Sequence, residues 1–263
     1  MSYLVIGIIV FMTGFNIMVD TLNVRHHKKT LPPNVATLYD EKRWTNWLNY
    51  KHDNYKLGVI MNLGIALLVV SLLLFGVFGQ LEKLVASMTP SLYLQTLLFL
   101  EIIYWAATVI SIPVKYVRIF RIDAKYGFNK TTIKLFVLDS VKTLIMVSVI
   151  GGGIVLLLGS ILIRFEEDLV LYLSISYGVI VTITLLVFMF NGFFIRAFNK
   201  LTPLEEGSLK EKIQKLASSL GFSIKRISVM DASKRSTKLN AFFTGLGKTR
   251  EVVLYDTLIE KLS

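Results

Sequence analysis

One acidic side chain stands in the middle of an apolar run, Glu101 in LLFLEIIYW. A carboxylate at the centre of a membrane span costs about 2.5–3.5 kcal/mol, so it must face protein or water rather than lipid. There it lines a polar chamber or passes a proton, or else it stays protonated and hydrogen-bonded at a helix contact; both readings are open. Asn191, in a later apolar run, is a weaker polar case. The histidines are His26, His27 and His52. Adjacent histidines point in different directions on any regular element, and no carboxylates at ligand spacing accompany them, so they read as part of a solvated basic loop. Asp139 and Lys142 are three apart and read as a pair on one helix face near an interface. SKRSTKLNAFFTG, residues 233 to 245, joins a basic, hydroxyl-bearing turn to a strand-like segment and could at first sight seek phosphate. There is no cysteine, which excludes disulfides, thiolate zinc sites and cysteine nucleophiles.

The elements that must position these residues are mostly membrane helices. Of 263 residues 54% are hydrophobic, and mean hydropathy is +0.61, too apolar for an ordinary soluble domain. Five runs are long enough to cross a hydrocarbon core as helices: roughly residues 2 to 19, 57 to 78, 92 to 112, 141 to 163 and 170 to 195. The first has no positive n-region and no small-x-small cleavage site, so it reads as a retained helix rather than a signal peptide. GGG at 151 to 153 allows close helix approach or a kink.

The net charge of +11 distributes in a pattern. Residues 20–56 hold seven Lys or Arg, 80–91 one, 113–140 six, 164–169 one, and the chain from Arg196 onward thirteen. This alternation predicts an N-terminus outside and a C-terminus in the cytosol. It makes the charge a topological signal with some attraction to anionic lipid, and it argues against nucleic acid, since aromatic platforms and groove-reading motifs are missing. In the first basic loop Pro32 and Pro33 break the chain, and DEKRWTNWLNYKHDNYK reads as an interfacial helix or a lead-in to the second span.

After the fifth span, Ser208 and Glu211 form a capping-box pattern, Leu209, Ile213, Leu216 and Leu220 recur at helical spacing, and Gly221 closes the helix. IKRISVMD, LNAFFTG and EVVLY read as three strands, and Asp256 as the cap of a last helix. The fold class is therefore an α-helical membrane protein, five transmembrane helices followed by a small incomplete α+β cytosolic segment. The division falls at 1–198 for the membrane domain and 199–263 for the cytosolic part. About sixty residues of this kind bury too little apolar area to stand alone, so something else should cover the sheet.

YGFNK at 126–130, FNKLTPLEEGSLKEKI at 198–213, SKRSTKLNAFFTGLGKTR at 233–250 and VVLYDTLIEKL at 252–262 occur in this order, after LPP and YDEKRW in the first loop. Together they resemble the CAAX prenyl protease family of integral-membrane zinc metalloendopeptidases, which includes the HtpX-related proteases. The resemblance covers essentially the whole chain. It implies a water-filled chamber enclosed by the membrane helices, with Glu101 as a chamber-lining candidate. It implies cleavage of membrane-associated or C-terminally lipid-modified peptides near the cytosolic face. It also implies that LNAFF pairs with an extended substrate by strand addition, giving Asn240, Ala241 and Phe242 as substrate-side positions.

In that family a helix soon after the DTL segment carries HExxH, two histidines one turn apart that hold zinc and a glutamate that acts as general base. No histidine follows His52 here. The chain is therefore expected to be the N-terminal portion of such a protease, ending before HExxH. It would be catalytically inactive alone and unable to bind zinc at the family site, its partners being membrane lipids, a peptide or protein substrate and a missing C-terminal catalytic segment. Catalytic and metal residues are expected to be none in this chain. Where the eukaryotic pattern has His-Ser this sequence has Lys238-Leu239, which places it with the bacterial-type branch in a bacterial cytoplasmic membrane. The alternative is an inactive scaffold or pseudoprotease that binds hydrophobic peptides. A transporter reading lacks the two similar, broken halves of an inverted repeat.

Overall fold

In a bilayer every backbone polar group must be satisfied within its own segment, so long apolar runs have to be helical. The structure, a computed structural model, describes residues 2–27, 30–33, 36–37, 40–165, 167–189, 191–245 and 250–262. It contains five helices long and apolar enough to cross a membrane. Their apolar side chains stay uncovered by protein: Leu67 and Val149 are each 69% exposed and Val170 75%. Such faces belong in lipid, and the protein is a multi-pass membrane protein. The chain divides into two compact units, residues up to Gly127 and from Phe128 onward.

In the first unit, α1 runs Ser2–His26 and α2 Glu41–Leu74. α2 starts where Asp40 accepts a hydrogen bond from the Arg43 amide at 2.7 Å, and its charged first half continues without a break into the apolar span. The Thr21 and Tyr55 hydroxyls, 2.7 Å apart, tie α1 to α2. The expected second span to residue 78 is cut short at Gly76, whose φ of +65° is the left-handed conformation that glycine alone adopts freely. Beyond it lies α3, Val77–Met88, a helix where a loop is expected between the second and third spans; its Val85 is buried beside α4. α4, Leu92–Tyr116, passes through Pro113 and widens into a π-helical turn, Val117–Asp123. The expected end at 112 is therefore eleven residues early.

The π turn is held to the charged half of α2. Tyr50 donates to Asp123 at 2.9 Å, and Asp53 accepts from Lys125 at 2.7 Å and from Tyr126 at 2.9 Å. The Tyr50 and Tyr126 rings meet edge to face at 5.4 Å. Its hydrogen bond to Asp53 holds the Lys125 ammonium above the usual lysine range. Partial burial, then the same carboxylate, pushes the Tyr126 phenol up.

The second unit begins with α5, Ile133–Arg164, capped by Thr132, followed by α6, Leu169–Met189, and α7, Asn191–Phe198. α5 starts eight residues before the expected span and runs unbroken through the three glycines; Gly151 and Gly153 face open space and Gly152 is buried. The tail then forms β1, Leu201–Pro203, α8, Ser208–Ser219, β2, Arg226–Met230, a 3-10 turn at Ala232–Lys234, β3, Ala241–Thr244, β4, Glu251–Tyr255, and α9, Asp256–Leu262.

The sheet has four strands in the order β1-β2-β4-β3 where three were expected. β2 and β4 run parallel and the outer pairs antiparallel. β1 escaped because three residues ending in proline carry no strand pattern; proline is tolerated there because β1 lies at an edge. Leu204, Ile227, Val252 and Leu254 form a core on one face, covered by Leu209 and Ile213 of α8 and by Leu258 and Ile259 of α9. On the other face Met230, Ala232 and Val253 pack with Ile195 of α7, Leu201 and Phe242.

Two local expectations are corrected. The Ser208–Glu211 capping box does not form, because α8 begins one residue earlier in register: Gly207 takes the cap position, and its carbonyl accepts from the Glu211 amide at 3.1 Å. The other end agrees with expectation. Gly221, φ +71°, donates to the Ser218 carbonyl at 3.1 Å, and Phe222 donates to that of Ala217 at 2.8 Å, which satisfies the last carbonyls as a Schellman ending does. Asp139 does not pair with Lys142. It takes the Arg235 guanidinium at 2.9 and 3.2 Å, while Lys142 reaches the Ala197 carbonyl at 3.4 Å. A planar fork matches a carboxylate with two parallel bonds, which an ammonium on the same helix does not offer.

Candidate functional site, the edge strand and its supports

β3 is short, apolar and alternating, and it lies at the sheet edge beside β4. The Tyr255 amide donates to the Asn240 carbonyl at 3.0 Å, which fixes the ladder's phase. In an antiparallel pair, hydrogen-bonded and non-hydrogen-bonded residues alternate. Asn240, Phe242 and Thr244 thus turn their backbone groups toward β4, and Ala241 and Phe243 turn theirs outward. Phe242 lays its ring edge-on against Tyr255 at 6.3 Å and closes the core on the α7 side. Phe243, on the opposite face, is 71% exposed. Of the three expected substrate-side positions, Ala241 therefore sits on the open edge, Phe242 is a packing residue with its backbone engaged, and Asn240 leads into the strand, its side chain accepting from the Ala241 amide at 2.9 Å. Phe243, two residues on from Ala241, shares the outward backbone phase with it.

The segment before β3 is fastened at several points. Residues 128–131 run antiparallel to 235–237, with Asn129 bridging Ser236. Lys130 donates to the Arg235 carbonyl at 3.0 Å and Thr237 to that of Phe128 at 3.1 Å. Two of the motifs singled out in sequence, YGFNK and SKRST, thus meet. Arg235 then acts as a clamp: beyond Asp139 it donates to Asn199 at 3.0 Å and to the Phe198 carbonyl, the C-terminal end of α7, at 2.5 Å. Ser233 donates its amide and hydroxyl to Asp256 at 2.9 and 2.5 Å, and Thr257 donates to the Lys238 carbonyl at 2.9 Å. The basic turn that looked ready for phosphate spends Arg235 and both flanking serines on protein contacts. The GLGKTR turn after β3 lies largely outside the described residues, at 246–249.

A second charged contact lies on the α7 side of the sheet. Glu251, the first residue of β4, is buried with both carboxylate oxygens on Arg196 Nη2 at 2.8 and 2.9 Å. The Ser228 hydroxyl donates to the same carboxylate. No local pattern marks this pair, whose partners are 55 residues apart.

Glu101 lies mid-way along α4, half-buried, and accepts from the Trp105 indole at 2.9 Å, one turn on. A cavity of about 360 Å³ opens between α3 and α4, lined by Glu82, Val85, Gln95, Thr96 and Phe99; Glu101 is not among its lining residues. The side chain of Asn191 lies outside the described residues. The histidines do not converge. His26 Nδ1 lies 2.9 Å from the Leu22 carbonyl, His27 packs edge-on against Trp47 at 4.9 Å, and His52 stacks on Tyr55 at 6.3 Å. Among the described residues no group of three His, Asp or Glu side chains is placed to hold a metal ion. The three histidines stand apart and do not fit a zinc centre.

Comparison with known proteins places this arrangement. Residues 20–200 match the family described as CAAX prenyl protease N-terminal, five membrane helices, and residues 203–263 match peptidase family M48. The chain is 32% identical over 244 residues to CAAX prenyl protease 1 of Saccharomyces cerevisiae, an alignment that covers 89% of this chain and 53% of the yeast protein. It is 31% identical over 269 residues to a CAAX prenyl protease 1 homolog of Oryza sativa, covering 98% of this chain and 63% of the rice protein. The crystal structure of S. mikatae Ste24p is similar in fold, with a TM-score of 0.87 at 28% identity, covering all of this chain and 63% of that one. The chain thus spans between half and two thirds of the length of these relatives. With its five apolar helices and the small sheet that follows, it belongs to the CAAX prenyl protease family of membrane metalloproteases.

Proposed function

We propose that these residues form the membrane portion and the substrate strand of a zinc endopeptidase that, at full length, cleaves membrane-associated or C-terminally lipid-modified peptides. The observation that carries this reading is the open edge of β3, where the Phe243 N–H and the outward carbonyls of Ala241 and Phe243 have no partner strand among the described residues, the Ala241 amide being taken by its Asn240 neighbour. An extended peptide added there gains main-chain hydrogen bonds in register, and the exposed Phe243 ring offers it an apolar contact. The names of the yeast and rice relatives support prenylated substrates. Zinc supplies the hydrolytic chemistry in the family, and no residue of this chain is assigned to it. Glu101 faces a polar chamber in this proposal. The N-terminus lies outside and the tail in the cytosol, as the alternation of basic loops supports, with the membrane domain at 1–198 and the start of the protease domain at 199–263. Lys238-Leu239 supports a bacterial-type branch, while the relatives compared above are eukaryotic.

The test uses the full-length, zinc-loaded protein from the native reading frame. Phe243→Pro deletes one outward N–H and leaves the donors of Phe242 and Thr244 to β4 in place, whereas Phe243→Ala keeps the N–H. A hydrogen bond worth about 0.5–1.5 kcal/mol predicts that the proline variant cleaves a lipid-modified peptide with kcat/KM roughly 2- to 12-fold below the alanine variant. Equal kcat/KM for the two would remove β3 as the substrate rail. Failure of the parent protein to hydrolyse any such peptide would favour the scaffold alternative.

A further inference from the structure

We infer that the pocket beneath α7 binds the phosphate headgroup of an anionic phospholipid. The pocket lies where α6 ends and the tail begins, and holds about 280 Å³ between Met189, Gly192, Phe193 and Arg196 on the helical side and Lys225, Arg226, Thr244, Gly245 and Glu251 on the sheet side. Gly192 and Phe193 stand four and three positions before Arg196 on one face of α7, and Met189 is the last residue of α6. The size is at the lower end of ligand pockets, which run to about 300–1,000 Å³, and suits a headgroup rather than a whole lipid.

Its charge is asymmetric in use. Glu251 is engaged by Arg196 and Ser228, and Gly192 keeps room for that contact, since a Cβ there would stand 3.1 Å from Arg196 Nη1. The one acidic group of the pocket is therefore neutralised inside the protein. Lys225 and Arg226 are exposed and make no ion pair among the described residues. Two uncommitted cations thus face a pocket whose anion is already taken, and they attract a further anion. Thr244, a lining residue, has a buried hydroxyl with no hydrogen-bond partner among the described residues.

The source of the phosphate follows from the other wall. Met189 is 41% and Phe193 68% exposed, at the end of the last membrane helix, the depth where headgroups lie and aromatic rings anchor. A soluble phosphate would make no use of those two side chains; a phospholipid places its glycerol and upper acyl carbons on them while its phosphate meets Lys225 and Arg226. This assignment depends only on the protein being a multi-pass membrane protein and stands apart from the protease reading.

The experiment takes the 263-residue protein in neutral detergent and titrates it separately with short-chain phosphatidylglycerol, phosphatidylcholine of the same chain length, and inorganic phosphate. Saturable binding of phosphatidylglycerol is expected, with none for phosphatidylcholine. Removing both free cations in K225Q/R226Q should weaken it roughly 25-fold, about fivefold per charge. The charge-matched control K212Q/K215Q, on the exposed side of α8, should leave it unchanged, and an unaltered helical circular dichroism signal in both variants excludes misfolding. Equal loss in the two double variants would reduce the effect to diffuse charge and overturn the site. So would equal binding of phosphatidylcholine, or displacement of the lipid by inorganic phosphate at comparable concentration.

Discussion

Replacing Arg235 by methionine should loosen the approach to β3 without unfolding the membrane helices. The guanidinium joins three elements: it pairs with Asp139 on α5, and it donates to Asn199 and to the Phe198 carbonyl at the end of α7. Both members of the ion pair keep 23% of their side-chain surface exposed. Breaking a fully buried pair by removing one partner costs about 3–5 kcal/mol because the other charge is left uncompensated. Partial access to water reduces that penalty, while the two further hydrogen bonds, at about 1 kcal/mol each, add to it. A local cost of about 2–3 kcal/mol results.

The cost should appear where Arg235 holds the backbone. The Lys130 amide bonds the Arg235 carbonyl, and the Thr237 amide bonds that of Phe128; both are protected from hydrogen exchange only while the 128–131 and 235–237 segments stay together. At about 1.4 kcal/mol per factor of ten, exchange at these two amides should accelerate roughly 30- to 150-fold in Arg235→Met. Amides in the middle of α5 should be unaffected, because local openings need not involve the whole unit. The assay is hydrogen–deuterium exchange with peptide-level mass spectrometry on the protein in detergent. Unchanged exchange at both amides would refute the clamp, and so would acceleration spread evenly along α5, which would mean general unfolding.

Two further outcomes follow from the other polar contacts. Arg196→Met strands Glu251 in a site where its side chain is 8% exposed and should cost about 3–5 kcal/mol, whereas the double substitution with Glu251→Leu should recover most of it; equal thermal destabilisation of single and double variants would contradict the pairing. In unit one, a spectroscopic titration of the wild type minus Tyr126→Phe should show that phenol ionising above its ordinary 10.0, and Asp53→Asn should bring it down by removing the carboxylate that disfavours the phenolate. Because the Lys125 pKa is also raised, its contribution to holding the π turn is complete below about 10.5 and is lost only as the pH climbs through the higher folded value. A difference titration at or below 10.0 would sink this account.

The membrane helices were legible because length and hydropathy are local properties: a run of twenty apolar residues has one stable form in lipid wherever its neighbours lie. The ends were less so. Ser111-Ile112-Pro113 looks like a stop, yet α4 continues to Asp123 because the wider π turn carries Asp123 to Tyr50 and brings Lys125 and Tyr126 to Asp53, partners some seventy residues away. α3 hid behind Gly76, whose turn let a second, amphipathic helix begin where one span was expected to end. In the candidate site the strand LNAFFTG was visible from composition, but its phase was set by a single hydrogen bond from Tyr255 to Asn240. A shift of one residue exchanges the inward and outward groups, and that phase is not visible in the composition of LNAFFTG.

The basic residues show most sharply what a charge count cannot decide. Thirteen Lys or Arg from position 196 onward predict which side of the membrane the tail lies on, and each counts equally there. In the structure they separate by what they touch. Arg196 and Arg235 have their charge consumed by Glu251 and Asp139, and exchanging Arg235 for lysine would keep the topology signal while losing its two-nitrogen fork on Asp139. Lys234 is paired with Asp231 and Lys210 with Glu206. Lys225 and Arg226 are uncommitted, and they stand beside the one pocket among the described cavities whose own carboxylate is already neutralised. The same residue type therefore does three separable things within some forty positions: it orients the tail, it fastens β3 to α5 and α7, and at the end of the last membrane helix it leaves two positive charges facing the depth where lipid phosphates lie. An arginine-to-lysine exchange at 235 would disturb the fastening alone, and neutralising 225 and 226 would disturb the lipid contact alone, so these roles can be separated by substitution.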